Sequence, residues 1–396
     1  MQNHAEERAA SPRLILGLSS GTSADAVDLA LVRVRGRGPT RAAEVLAGAR
    51  EPMPPALQQR ARAAPGWSLA EFAAAQHDFG QHFGRAARAF LDRRGVPPAQ
   101  LAAAASHGQT VYHHDGDPRG GTLQIGALPL IALELGAPVV GDFRWGDLAL
   151  GGQGAPISPY ADWVLHRRAA PALGILNLGG IANLTLLRGD QPPVATDCGP
   201  ANGPLDALVQ AETGAAFDQD GRLTGAGCVL EEEALRLRTD PFFERPLPRS
   251  TGLERFGRGF ARSLRARHPR ARLEDLLATV ADFAAWAVAE SLHRAAAPSG
   301  IPLYLCGGGA ENAALRGALA RHLGDSAPVR RYAELAPAGD LRGDGGLREA
   351  VAFALLGDAF LCGETVTWPA TTGCRVPAVL GQWCPPPDGS RSFRIS

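Results

Sequence analysis

Lysine is missing from this chain: all 40 basic side chains among its 396 residues are arginine. A phosphate loop of the Walker type, whose lysine reaches the terminal phosphates, is therefore excluded. Schiff-base chemistry and kinases built on a catalytic lysine are excluded with it. Net charge is missing too, because 40 acidic residues balance the 40 arginines. That leaves no electrostatic footprint for nucleic acid or for a polybasic membrane anchor. No stretch approaches the roughly 18 uncharged apolar residues of a membrane helix. Residues 1–13 carry His4, Glu6, Glu7 and Arg8 where a secretory signal has its apolar centre. Cysteine is sparse: Cys198, Cys228, Cys306, Cys362, Cys374 and Cys384 stand at wide, irregular spacings without a C-x-x-C pair. Neither a disulfide framework nor a zinc cluster has a spacing to rest on. The expectation is a cytoplasmic protein with buried or incidental thiols.

What is present is an ordinary globular composition, 45% apolar and 20% charged, which excludes collagen-like, coiled-coil and wholly disordered chains. The length favours two domains. Leu14–Leu18 reads as a strand, Ser19–Ser23 as a small polar turn and Leu29–Val34 as the return strand of a hairpin. Residues 56–94 carry apolar side chains at helical spacing and stop at Gly95-Val96-Pro97-Pro98. A short strand over Leu101–Ala105 follows, then a helix from Leu128 to Gly136 and a strand closing at Gly141-Asp142-Phe143-Arg144. The second half repeats the pattern: strand Gly174–Leu178, turn Gly179-Gly180, return strand Ile181–Leu187. Leu276, Val280, Phe283, Ala287 and Leu292 mark one face of a long helix. Leu303–Cys306 then runs into Gly307-Gly308-Gly309 and a helix beginning near Asn312. The end, Cys384-Pro385-Pro386-Pro387-Asp388-Gly389, reads as loosely packed. The whole is mixed α/β with comparable glycine-turn hairpins in two halves.

Five segments carry candidate chemistry. Gly21-Thr22-Ser23-Ala24-Asp25-Ala26-Val27-Asp28 offers backbone N–H groups and hydroxyls that cradle phosphate without lysine. Asp25 and Asp28 could hold Mg²⁺ through water, since magnesium takes few protein ligands. Asn177-Leu178-Gly179-Gly180-Ile181-Ala182-Asn183 lets backbone approach a ligand closely. Gly307, Gly308 and Gly309 precede a helix N-terminus suited to an anion or nucleotide. Ordinary hairpin turns remain the alternative for the first two. Asp197, at a strand end with Gly199 and Pro200 behind it, is a candidate general base, with helix capping as its alternative. Ser106-His107-Gly108-Gln109-Thr110, with Gln124, Asp142 and Arg144, is a dense polar cluster suited to a polyhydroxylated ligand. Glu349 opens a helical pattern just after a glycine-rich turn, either facing solvent or serving the site.

Together these segments resemble the anhydro-N-acetylmuramic acid kinase family. The shared stretches run in order from Ser20-Gly21-Thr22-Ser23 through Ser106–Val111, Thr122–Gly126, Val140–Arg144, Gly151–Pro156 and Asn177–Leu184. They continue through Asp197–Asn202, Ser250-Thr251-Gly252 and Cys306–Gly309 to Glu349–Ala354, covering about residues 14 to 380. The resemblance implies an actin-like ATPase fold: two ribonuclease-H-like α/β domains with a nucleotide cleft between them. On this reading residues 1–145 with 360–396 form the first domain and 146–359 the second. It implies ATP with Mg²⁺ as cofactors and a small sugar, 1,6-anhydro-N-acetylmuramic acid, as substrate. The sugar would be phosphorylated at O6 while water opens the anhydro ring, giving N-acetylmuramic acid 6-phosphate in peptidoglycan recycling. Gly21 to Asp28 would form one ATP loop, with Gly179, Gly180 and Asn183 a second and Gly307–Gly309 beside the nucleoside. Asp197 matches the family's water-activating aspartate, and Glu349 would assist in the cleft. His107, Gln109, Thr110, Gln124, Asp142 and Arg144 would contact the sugar. The family's tendency to dimerise leaves room for a homodimer, with no nucleic-acid or membrane partner.

The chain departs from the family at Ser19, Ala24 and Ala26, at Trp145-Gly146 where arginines are common, at Leu253, and at Gly343-Asp344-Gly345-Gly346. Ala26 stands where a glycine is usual, a position that would then call for positive φ. Two other readings share the nucleotide loops: a hexosamine kinase without ring opening, and a nucleotide-binding regulator without turnover.

Overall fold

The computed structural model describes residues 11–21, 23–114, 118–337 and 340–387. Its first sheet holds β1 (Arg13–Ser20), β2 (Ala26–Arg35), β3 (Ala42–Pro52), β4 (Ala103–His113), β5 (Thr122–Ile125) and β6 (Val139–Gly141). The second holds β7 (Leu173–Leu178), β8 (Ile181–Leu187), β9 (Val194–Pro200), β10 (Leu303–Cys306) and β11 (Val329–Arg331). The chain then returns to the first sheet with β12 (Gln382–Cys384). The strand orders are β12-β6-β4-β1-β2-β3, with β5 on β4, and β11-β10-β7-β8-β9.

The two orders are the same plan. β1, β2 and β3 form an antiparallel meander; β4 pairs parallel with β1, and β6 parallel with β4. β7, β8 and β9 form the matching meander; β10 pairs parallel with β7, and β11 parallel with β10. This is the ribonuclease-H-like order the resemblance implied, present twice.

The compact units comprise the chain up to Leu165 together with the stretch from Ala336 onward, and His166–Leu335. The sequence reading drew these boundaries at 145/146 and 359/360. The helix Arg348–Leu361 accounts for much of the difference, because it packs on β1 of the first unit. Its residues Ala350 to Ala359 are all buried. Small residues permit a very close approach: a Cβ on Gly17 would lie 1.8 Å from the Ala350 carbonyl oxygen, and one on Gly357 would lie 2.6 Å from Ala105 Cβ. On the other face, Leu16, Leu18, Leu29 and Leu31 pack with Phe79, Phe83 and Phe90 of the helix Leu69–Arg93. Successive strand residues point to opposite faces, so β1 serves both layers.

The helical stretch expected over 56–94 is two helices, Pro55–Arg62 and Leu69–Arg93. Pro65-Gly66 interrupts them, and Ser68 starts the second with a capping box: Glu71 N–H donates to Ser68 Oγ, and Ser68 N–H donates to Glu71 Oε2 at 2.7 Å. Cys384, expected to open a loosely packed end, lies in a strand, since Gln382–Cys384 pairs antiparallel with β6; Asp388 and Gly389 lie outside the described residues. In the second unit the helix Leu273–Arg294 buries all five residues of its expected face. Among the described residues no helix is long and apolar enough to cross a membrane.

Candidate active site

In the first unit the turn after β1 is braced from below. Gln109 on β4 is fully buried. Its Oε1 accepts from Ser20 Oγ at 2.7 Å, and its Nε2 donates to the Gly21 carbonyl at 3.0 Å. The amide is therefore spent on the loop rather than offered to a sugar, as the sequence reading had it. Gly21 itself is open, because a Cβ there would meet only Ser23 Oγ at 3.8 Å. Thr22 lies outside the described residues. Ala26 needs no positive φ: it begins β2, paired with Pro52. The left-handed residue is its neighbour Ala24, at φ 53°.

Asp25 is committed. It accepts from Ser23 Oγ at 2.7 Å and from Arg50 at 2.6 Å, and despite the cost of its partial burial these bonds hold it below the ordinary carboxylate range. Asp28 differs. The β2–β3 register sets it opposite Arg50, but the ion pair is long, 3.9 Å. Its Oδ1 is buried without a hydrogen-bond partner, and so is the Oγ of Ser19, its register partner on β1. Burial pushes the Asp28 carboxyl up to about 6, and the carboxylates of Glu349, Asp25 and Asp344 add to the rise. Val27, next to it, is core.

The same unit holds a depression of about 420 Å³ whose lining includes Phe72, His107, Gln124, Asp142, Trp145 and Gln382. His107 stacks on Phe353 at 4.5 Å, and its Nε2 accepts from Arg144 Nε and Nη2 at 3.1 and 3.0 Å. Burial, with that guanidinium beside it, keeps the imidazole neutral far below its ordinary range. Arg144 also donates to the Gly154 carbonyl at 2.7 Å, and burial lowers it to about 10. Gln124 bridges Thr110 and Thr122 through its Nε2. Asp142 has a left-handed φ of 56° and accepts from Gln382 at 2.6 Å. Glu349 is exposed in the first turn of its helix, and its charge bears on both Asp28 and Arg144.

In the second unit, Gly179 and Gly180 turn their carbonyls to the start of the helix Asn202–Thr213. Asn202 N–H donates to Gly179 and Gly203 N–H to Gly180, at 2.9 and 3.0 Å. Gly307 has φ 81°, and a Cβ there would lie 2.6 Å from Asn177 Oδ1; one on Gly309 would lie 2.8 Å from Asn202 Oδ1. Gly308, between them, would meet only Asn202 Nδ2 at 3.7 Å. The helix beyond, Ala313–Leu323, is capped by its own Asn312, which accepts from Leu315 N–H at 2.9 Å.

Asp197 sits on β9 and is 7% exposed. Asn183 Nδ2 donates to its Oδ1. Ser250 Oγ and Thr251 N–H donate to its Oδ2 at 3.2 and 2.8 Å. Burial raises its carboxyl to about 6 even though these three donors pull the other way, and Glu254 adds to the rise. Asn183, expected beside the nucleotide, has its amide on this carboxylate instead.

The sequence reading placed no role on Phe72, Gln76, Gln382 or Arg50. Gln76 holds Gly126 N–H at 3.0 Å and lines the depression from the helix Leu69–Arg93. No local motif marks these four, because helix packing and strand register bring them in. Ser250 and Thr251 stood inside a shared stretch without a task.

Two units of ribonuclease-H strand order, with glycine turns at strand ends and an aspartate held in a buried cage of donors, define a two-domain α/β protein of that class. The chain belongs to the anhydro-N-acetylmuramic acid kinase family, whose sequence profile matches residues 13–386. The anhydro-N-acetylmuramic acid kinase of Gloeobacter violaceus is 38% identical over 381 residues, 93% of this chain and 98% of that protein. That of Bordetella pertussis is 40% identical over 380 residues, 94% of this chain and 96% of its own length. That of Streptomyces coelicolor is 38% identical over 388 residues, 94% of this chain and 93% of its own length.

Proposed function

We propose that the protein is an ATP-dependent kinase that phosphorylates 1,6-anhydro-N-acetylmuramic acid at O6 and opens its anhydro ring with water. The observation that carries the reading is Asp197: a carboxylate raised to about 6 by burial, yet held by three donors, is poised to be ionised and basic near neutral pH. Asp197 takes a proton from water as the water oxygen bonds to the anomeric carbon. The bond from that carbon to O6 breaks, and O6 bonds to the γ-phosphorus as ADP departs. The transferred phosphoryl group accepts the leaving oxygen, so no second acid is needed of the kind paired-carboxylate glycosidases use. His107, Gln124, Asp142 and Arg144, with Trp145 at the rim, orient the sugar. Positioning of this kind supplies much of the rate in phosphoryl transfer.

The resemblance assigns the phosphates to the Gly21–Asp28 turn, and further nucleotide contacts to Gly179, Gly180 and Gly307–Gly309. Lacking lysine, the chain relies on backbone N–H groups, hydroxyls and arginine. Asp28 suits a water-bridged Mg²⁺, since Oδ1 has no hydrogen-bond partner and Arg50 stands off from it at 3.9 Å. Asp25, already on Arg50, suits it less. Mg²⁺, when bound, supplies charge neutralisation at the phosphates.

Incubation with Mg-ATP and the anhydro sugar in ¹⁸O water tests the reaction. The expected product is a 6-phosphorylated sugar with ¹⁸O at the anomeric hydroxyl. A 6-phosphorylated product without label, formed from an ordinary hexosamine, would favour a kinase without ring opening. Asp197→Asn should lose ~10²- to 10⁴-fold in turnover.

A further inference from the structure

We infer that Asn183 and Ser250 are positioning residues for Asp197, fixing the plane of its carboxylate so that one lone pair stays open to a water. The inference rests on the reading of Asp197 as the general base.

The two oxygens are gripped from two different elements. Asn183 and Asp197 are register partners on β8 and β9, just past an irregularity between Ala182 and Asn183 that re-aims the strand. From there Asn183 Nδ2 reaches Oδ1. Ser250 and Thr251 come from the segment before the short helix Leu253–Phe256, and both donate to Oδ2. A carboxylate offers about four lone-pair positions. Two donors occupy Oδ2 and one occupies Oδ1, which leaves a single acceptor position, on Oδ1.

The segment that bears Ser250 is itself anchored. Asp197 N–H donates to the Arg249 carbonyl at 3.0 Å, and Arg249 N–H donates to Thr196 Oγ1 at 3.1 Å. The Arg249 guanidinium is buried against Phe242 and Phe243, and it donates to the Asp197 carbonyl, the Phe243 carbonyl and Ser291 Oγ. The other ionisable groups that bear on Asp197 are Glu254, which opposes its ionisation, and the buried thiol of Cys198.

The test is the pH dependence of kcat/KM for the anhydro sugar at saturating Mg-ATP, measured for the wild type, Asn183→Ala, Ser250→Ala and Ser250→Thr. Removing a donor disfavours the ionised carboxylate. The acid limb should therefore move up by roughly one pH unit in each alanine variant, on the scale of one hydrogen bond to a carboxylate. Ser250→Thr, which keeps the hydroxyl, should return the limb to its original place. The KM for ATP should not change. A rate that falls equally at every pH, with the limb unmoved, would overturn the inference, since a purely structural role predicts that pattern. So would a raised KM for ATP with a fixed limb, the pattern of a nucleotide contact at Asn183. If Asn183→Ala does not fold, the Ser250 pair decides. Asp197→Asn measured alongside separates the two levels. Wild-type turnover in that variant removes the base itself, whereas a collapsed rate there with unmoved limbs in the others removes only the positioning role.

Discussion

Burial of Asp197 has a consequence for stability that is separate from its chemistry. Its folded-state carboxyl lies at about 6, above the ordinary 3.8. The native state therefore holds its proton more tightly than the unfolded chain does. The stability this contributes is full below about pH 4 and is lost as pH rises through 6. Asp197→Asn removes that dependence, and Asn183 can turn its amide to accept from the new one. The variant should be more stable than the wild type at pH 8, by about 3 kcal/mol, with the gap closing toward pH 4. Thermal midpoints across that range check this, and a gap that stays constant with pH would contradict it. Gly21 is the complementary case. Space for a side chain exists there in the folded protein, so Gly21→Val should keep its thermal midpoint. The same side chain would occupy room proposed for phosphate, so ATP affinity should fall by at least ~10-fold, about 1.4 kcal/mol. Calorimetric titration of ATP into the variant reads this directly.

The helix Arg348–Leu361 is the element on which the first unit depends. It carries Glu349 at one end and is buried against β1 through its middle. Gly17 makes that contact possible, since any Cβ there would meet the backbone oxygen of Ala350 and the backbone nitrogen of Ala354. Backbone in the middle of a helix cannot move aside as a side-chain tip can. Gly17→Ala should therefore cost about 3 kcal/mol, the upper part of the range for overpacking, measured by urea unfolding. A buried ion-pair cluster secures the far end of the same helix: Asp358 accepts from Arg13 at 2.6 Å and from Arg41 at 2.8 Å, both from the first sheet's hairpin region. The helical pattern Glu349–Ala354 after the glycine-rich turn announced the helix itself. Its partner was not legible, because a glycine inside the strand Leu14–Leu18 does not say which distant element approaches it.

Chain connectivity distinguishes the two units as whole bodies. His166–Leu335 is one unbroken segment, whereas the first unit is built from both ends of the chain. The second unit's strands β7–β11 and its helices Leu273–Arg294 and Ala313–Leu323 share their own apolar core, with Leu176, Leu184, Val288, Leu305 and Leu319 inside. A fragment of residues 166–335 should therefore fold alone with a cooperative thermal transition. A fragment ending at residue 165 should not, because it lacks the helix over β1 and the strand β12. Circular dichroism and limited proteolysis of the two fragments test this.

The repeated plan was readable from sequence because apolar strand, glycine turn and return strand are local patterns, and a period-2 or period-3.6 pattern needs only a dozen residues to show itself. So were the absence of lysine, the candidate base Asp197, and the ordered motifs of the family. Three matters were decided only by tertiary structure. Gln109 braces the Gly21 turn although it stands in a polar cluster, because the parallel pairing of β1 with β4 brings it beneath that turn. The backbone strain lies at Ala24 and not Ala26, because β2 begins one residue after Asp25. Asn183 faces Asp197 because of a register 14 residues across a hairpin. Each depends on which strand lies beside which and in what register, a property of pairing between distant segments that no single segment encodes.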